Sequence, residues 1–220
     1  MGGLSLITLF SSEVVLSPMQ MPTYDDVIRF HGHLCPGVTF GYRAAQIALE
    51  RTGAGRAPDE ELVVIAENDA CGLDAFQVLT GCTIGKGNLI LRDFGKNAWT
   101  LVNRTAGTAV RIVVRPGFSI EELDPAFLPL RARVWEGSAT PDEEEDLHRR
   151  LDAICQAILT RPEDEVFIIR KVEPVVPERA RLFRTHICAV CGEGVAESRA
   201  RVKDGRIVCI PCAGEYTRGW

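Results

Sequence analysis

A chain of 220 residues with 46% hydrophobic and 25% charged side chains has the make-up of a soluble globular protein, long enough for one domain and a small appendage. Its formal net charge of −5 excludes a protein that coats nucleic acid through overall charge, so a nucleic-acid role would have to be local. Eight cysteines in a chain of this length, four of them in two CxxC pairs, fit metal binding in a reducing compartment better than a secreted disulfide scaffold.

At the N-terminus the apolar run Leu4 to Phe10 is too short to span a bilayer and lacks the cationic flank and cleavage site of a secretory signal. Gly2 is no myristoylation signal, because Leu6 stands where Ser or Thr is needed. The expectation is a cytoplasmic protein with no membrane association, in which residues 1–22 form a loosely ordered leader. Thr23 with Asp25 and Asp26 then reads as a helix start whose apolar face is Val27, Ile28 and Phe30, delivering the chain to His31. A second helix begins at Pro36 and is stopped by Gly53.

"ELVVIAEND" (61–69) reads as a buried strand, "CGLDAFQVLTG" as a helix ending at Gly81, and "NLILRD" as another strand. "WTLVNRTAGTAVRIVVR" has the pattern of a hairpin turning near Ala106 and Gly107. "SATPDEEEDLHRRLDAICQAILTRP" carries cap residues, Pro141 and early acids, and runs Leu147, Leu151, Ile154 and Ile158 along one face. "EVFIIRKVEP" is a late strand. Pro174 and Pro177 then punctuate a basic segment, which divides the chain into a core domain over 23–173, a linker over 174–184 and a finger over 185–220.

The finger carries the strongest motif: Cys188 and Cys191, then seventeen residues, then Cys209 and Cys212. That spacing is that of a four-cysteine zinc site, with an Asp204-Gly205 turn folding the intervening strands into a hairpin. So small a segment has little apolar material, and ligation of a structural zinc would supply much of its folding free energy. Its arginines make it locally basic. Base-stacking aromatics are nearly absent, so a solvated or protein-docking face is favoured and nucleic acid is not expected as a partner.

The other arresting stretch is "RFHGHLCPGVTFG" (29–41), which places His31, His33 and Cys35 at alternate positions. If extended, all three donors share one face; if helical, only His31 and Cys35 do. The bland alternative is a helix junction with a buried thiol. A second cluster, "ENDACGLDAFQVLTGCTIGKGNL", sits where a strand gives way to a helix, a favoured place for sites in α/β units. Cys71 could join a shared metal, and Asp69 could orient an imidazole or serve as a base. Asp69 and Asp74 could instead merely cap the helix. "GCTIGKG" fails the phosphate-loop pattern, leaving a weaker anion nest with Lys86. "DFG" at 93–95 lacks the other kinase motifs, and His148 and Cys155 read as ordinary helix positions.

Together "FHGHLCPGVTFGYRAA", "ENDACGLDAFQVLTGCTIGKGNLI", "RDFGKNAW" and the four-cysteine tail resemble the FmdE-like family of formylmethanofuran dehydrogenase subunits over about Thr23 to Trp220. The resemblance implies an α+β core, a mixed sheet packed with helices, with an appended zinc finger and a homodimeric assembly. By position, the family's blocks fall on His31 to Gly37, Asp69 to Cys71 and Thr80 to Cys82. It also implies association with a larger molybdenum or tungsten dehydrogenase complex, although the chain carries no pterin or iron-sulfur motif for the redox step itself. The leading expectation is a metal-binding subunit or stand-alone relative of that enzyme, with a core transition metal, zinc or iron. His31, His33, Cys35 and Cys71 are its candidate ligands, Asp69 positions a bound water and Lys86 holds an anionic group. The rival is a zinc-finger interaction or regulatory module whose core is only a dimer platform.

Overall fold

The computed structural model describes residues 21–215, so the leader expected over 1–22 lies almost wholly outside the described residues. Helix α1 (Tyr24–His31) starts with the Thr23 and Asp26 side chains each accepting the other's backbone N–H, and ends where Gly32 takes a left-handed φ of 97°. Helix α2 (Pro36–Thr52) uses Cys35 as its N-cap, Pro36 in its first turn and left-handed Gly53 at its end. Next come β1 (Leu62–Ala66), α3 (Gly72–Thr80), β2 (Leu89–Leu91) and the hairpin β3 (Ala98–Asn103) to β4 (Thr108–Val114). After α4 (Ile120–Leu123) and α5 (Phe127–Trp135), the long α6 (Pro141–Thr160) begins at a Thr140 and Glu143 capping box. A single turn, α7 (Glu163–Val166), leads into β5 (Phe167–Lys171).

The five strands form one sheet in the order β2-β1-β3-β4-β5. β1 and β2 run parallel and every other pair is antiparallel, which is the mixed sheet of an α+β core. Strand alternation assigns the faces: Leu62, Val64, Trp99, Leu101, Val110, Ile112 and Phe167 join the main core with residues of α2, α3 and α6. Val63, Ile65, Val102 and Ala109 lie on the opposite face, against which Val172 packs. Burial on both faces explains why β1 is apolar at all five positions. On α6, Ile154 and Ile158 are buried and Leu147 and Leu151 pack against the same core, as the periodicity requires.

Two sequence expectations need correction. His31 to Cys35 is not one extended stretch: His31 ends a helix, Gly32 is a left-handed bend, His33 is a second bend, and Cys35 caps the next helix. Helices α4 and α5 occupy a stretch to which the sequence pattern assigns no element. Pro129 sits in the first turn of α5, where its missing N–H costs nothing.

The contact that positions the site is the crossing of α2 and α3. A Cβ on Gly41 would lie 2.2 Å from the Gly72 carbonyl oxygen and 2.4 Å from its Cα. One on Gly72 would lie 2.7 Å from Trp99 Cζ2, so neither position admits a side chain without moving backbone or a buried indole.

The C-terminal unit, Arg179–Trp220, is compact by itself. It pairs β6 (Thr185–Ile187) with β7 (Gly194–Ala196), passes a 3₁₀ turn (Glu197–Arg199), then pairs β8 (Arg201–Lys203) with β9 (Arg206–Val208) before a one-turn α8 (Ile210–Ala213). Asp204 and Gly205, both with positive φ, make the β8–β9 turn read from the sequence. No described helix is long and apolar enough to cross a membrane.

Gly41→Ala is expected to destabilise the core by about 2 kcal/mol, a fall of roughly 4–8 °C in Tm. Gly85→Ala, where an added Cβ meets nothing within 4 Å, should stay within about 0.5 kcal/mol of the parent. Thermal unfolding followed by circular dichroism checks both, and equal Tm values would remove the crossing as a constraint.

Candidate metal centre

The crossing brings two helix starts together. Cys35 is the N-cap of α2 and Cys71 that of α3, and the space over Gly37 is shared by their sulfurs: a Cβ there would lie 3.8 Å from Cys35 Sγ and 3.6 Å from Cys71 Sγ. His31, the last residue of α1, turns into the same space, and the three ligand atoms of His31, Cys35 and Cys71 lie within 4.8 Å of one another. Cys35 Sγ is 3.7 Å from His31 Nε2 and accepts the Val38 amide at 3.3 Å. A tetrahedral metal with bonds of about 2.3 Å to sulfur and 2.0–2.1 Å to nitrogen has sulfur-to-nitrogen edges of roughly 3.6 Å, so the spacing fits. Two thiols and one imidazole suit zinc or iron, and three protein ligands leave a fourth position free.

The other ring nitrogen of His31 is also claimed. Nδ1 donates to Asp74 Oδ2 at 2.7 Å, and Gln77 Nε2 donates to Asp74 Oδ1 at 3.1 Å. A carboxylate on Nδ1 fixes the tautomer that leaves the Nε2 lone pair facing the thiols. Burial pushes the Cys35 thiol up to about 11, with the Cys71 sulfur beside it adding to the rise, so the metal-free pocket favours the neutral thiol there.

Other site residues fall differently. His33 is exposed, its ring 4.6 Å from that of His31 and outside the three-donor cluster, with the left-handed Gly32 between the two residues. Asp69 is exposed in the turn before α3, and the imidazole-orienting carboxylate is Asp74 instead. Asp74 lies one helical turn after Cys71, on the face that starts at the N-cap; that i, i+3 spacing was the signal available in the sequence. Lys86 does not join the cluster. Its Nζ donates to the carbonyls of Pro58 and Asp59, beside the start of β1, whereas Cys71 follows the end of that strand, roughly 13 Å away along its axis. Around it Asn88, fully buried, donates to the Asp59 and Leu62 carbonyls and accepts from Thr83 N–H, so side-chain hydrogen bonds hold the "GCTIGKG" loop in place.

In the C-terminal unit the ligand atoms of Cys188, Cys191, Cys209 and Cys212 gather within 4.8 Å. Cys209 N–H reaches Cys188 Sγ at 3.3 Å, and the first knuckle is closed by Gly192 N–H donating to the Cys188 carbonyl at 3.0 Å. The amides of Cys191, Cys209 and Val190 pull the Cys188 thiol down to about 6, which favours the thiolate a metal needs.

Comparison with known proteins follows the same division. Residues 30–168 match the family described as FmdE, molybdenum formylmethanofuran dehydrogenase operon, and residues 181–218 match the prokaryotic dksA/traR C4-type zinc finger. A probable S-adenosyl-L-methionine-binding protein of Archaeoglobus fulgidus is 39% identical over 200 residues, covering 85% of this chain and 51% of the relative. The chain thus spans about half the length of that curated relative. An FmdE-like protein of the tungsten formylmethanofuran dehydrogenase type, from Syntrophus aciditrophicus, has a similar fold, with a TM-score of 0.56 at 23% identity over 89% of this chain and 97% of that one.

For the finger, Cys209→Ser leaves an incomplete thiolate set, and folding there is coupled to the metal. Limited proteolysis is expected to cut the tail at least about tenfold faster while the core stays intact. A variant tail as resistant as the parent would contradict zinc-dependent folding.

Proposed function

This chain belongs to the FmdE family and ends in a C4-type zinc finger; from that premise we propose that its core holds one transition-metal ion, zinc or iron, on His31, Cys35 and Cys71. The observation that supports this reading is the convergence of three donors from three helices on one point, with Asp74 already on the second nitrogen of the histidine. A metal bound there would act as a Lewis acid through its fourth position. The chain's own groups do the rest. Asp74 sets the His31 tautomer, Gln77 holds Asp74, and the amide of Val38 stabilises negative charge on Cys35 Sγ. Asp69, exposed two residues before Cys71, is the group we assign to positioning water or a substrate proton at the mouth. His33 stands beside His31 as an outer neighbour.

Under this reading the protein is a metal-binding subunit or stand-alone relative of a molybdenum- or tungsten-dependent dehydrogenase, working in a reducing cytoplasm as a homodimer or within the larger complex. A second reading takes up the relative's name. A groove of about 610 Å³ between α1 and α3, lined by Phe30, Gln77, Val78, Arg56 and Thr83, lies one residue from His31 and one hydrogen bond from Asp74. Its size suits a ligand such as S-adenosyl-L-methionine. Calorimetric titration of the parent and of Val78→Trp checks that reading, and no heat from the parent would dismiss it.

Metal analysis of the full chain purified without oxygen tests the core site. The parent should carry about two ions per chain, and folded Cys35→Ser or Cys71→Ser about one. Asp74→Ala should keep the fold while core affinity falls about 10–100-fold. A parent with metal in the finger alone would favour the interaction-module rival.

A further inference from the structure

The three-donor cluster contains a feature that metal binding alone does not use. Cys35 and Cys71 present their sulfurs across the bare Cα of Gly37, and the locked crossing at Gly41 and Gly72 holds the two backbones in place. Both side chains are half-buried, so a small oxidant can reach them. The remaining core thiols differ: Cys82 is fully inaccessible, and Cys155, 2% exposed, accepts the Thr39 hydroxyl. The two sulfurs already lie within 4.8 Å of one another and face the same space over Gly37, and rotation about the Cα–Cβ bonds is the motion that would close them towards the bonding distance of about 2.05 Å.

We propose that Cys35 and Cys71 are an oxidisable dithiol that closes into a disulfide when the core site carries no metal, so that oxidation and metal occupancy exclude one another. The exclusion rests on the metal reading above; the dithiol itself rests on geometry. The oxidant is a peroxide. One of the two sulfurs, having given up its proton, attacks an oxygen of hydrogen peroxide; the O–O bond breaks, the departing hydroxide takes that proton to become water, and a sulfenic acid results. The second thiol attacks that sulfur, the S–O bond breaks, and the hydroxyl leaves as a second water. Two sulfurs lose two electrons and two protons, and one peroxide becomes two waters. The closed pair has no thiolate to donate, so a metal cannot return until a thiol reductant reopens it.

The test uses the full-length wild-type chain in two forms, stripped by a chelator under reducing, oxygen-free conditions or reloaded with zinc. Each is treated with hydrogen peroxide, alkylated, digested and mapped by mass spectrometry. The expected result is a Cys35–Cys71 linked peptide in the stripped protein, at least tenfold scarcer in the zinc-loaded one and removed by dithiothreitol. Consumption of both thiols without a linked peptide, only sulfinic or sulfonic products being found, would overturn the proposal. Equal linkage with and without bound core zinc would overturn the exclusion. If the core binds no zinc at all yet the linked peptide forms, the dithiol stands and the metal reading fails; if zinc binds and no link forms, the reverse holds.

Discussion

Everything at the core site depends on how closely α2 and α3 approach. With Gly41 over Gly72 the two helices meet backbone to backbone, and the indole of Trp99 closes the third side. Because both helices begin within a turn or two of that contact, their N-caps are forced to be neighbours, and in this chain both N-caps are cysteines. A site built from helix starts on a packed crossing is rigid at its backbone. Its side chains then need only modest rotamer choices to converge.

Around this constraint the sheet acts as a scaffold. β1 carries the chain to the turn from which Cys71 departs, and its burial on both faces anchors that turn. Glu67, just past the strand, accepts two hydrogen bonds from Arg111 on β4, and this pair holds the Glu67 carboxyl below its ordinary range. The polar connection from Gln77 through Asp74 to His31 then links α3 back to α1. Three helices thus share one donor cluster, and each is fastened to the others by packing or by a hydrogen bond.

The two units of the chain follow different folding logic. The core buries a continuous apolar cluster drawn from the sheet and its helices, and its donors are carried by that framework. Among the described residues the C-terminal unit has short strands of three residues and few buried apolar side chains beyond Val195 and Val208, so a metal on its four sulfurs would supply much of its folding free energy. Spacing in the sequence suffices to recognise the second kind of site, because CxxC knuckles are local. It does not suffice for the first, whose donors come from segments separated by more than thirty residues.

That difference also decides what the sequence alone determined. Local chemistry was legible: Thr23 and Thr140 as caps, Gly53 and Gly81 as helix stops, the Asp204-Gly205 turn, the strand alternation, and the four finger cysteines. Cys35, Cys71 and His31 were legible as candidates, since donor types are visible in one dimension. Tertiary structure alone decided their company. One left-handed residue, Gly32, stands between His31 and His33, and it is Asp74 of α3, not the exposed Asp69 before it, that meets the imidazole. Lys86 is held at the other end of β1 because Asn88 and two carbonyls organise its loop. Periodicity and spacing report which side of its own element a residue occupies; which residues of different elements meet is set by backbone close approach, and that depends on glycines whose partners the sequence does not name.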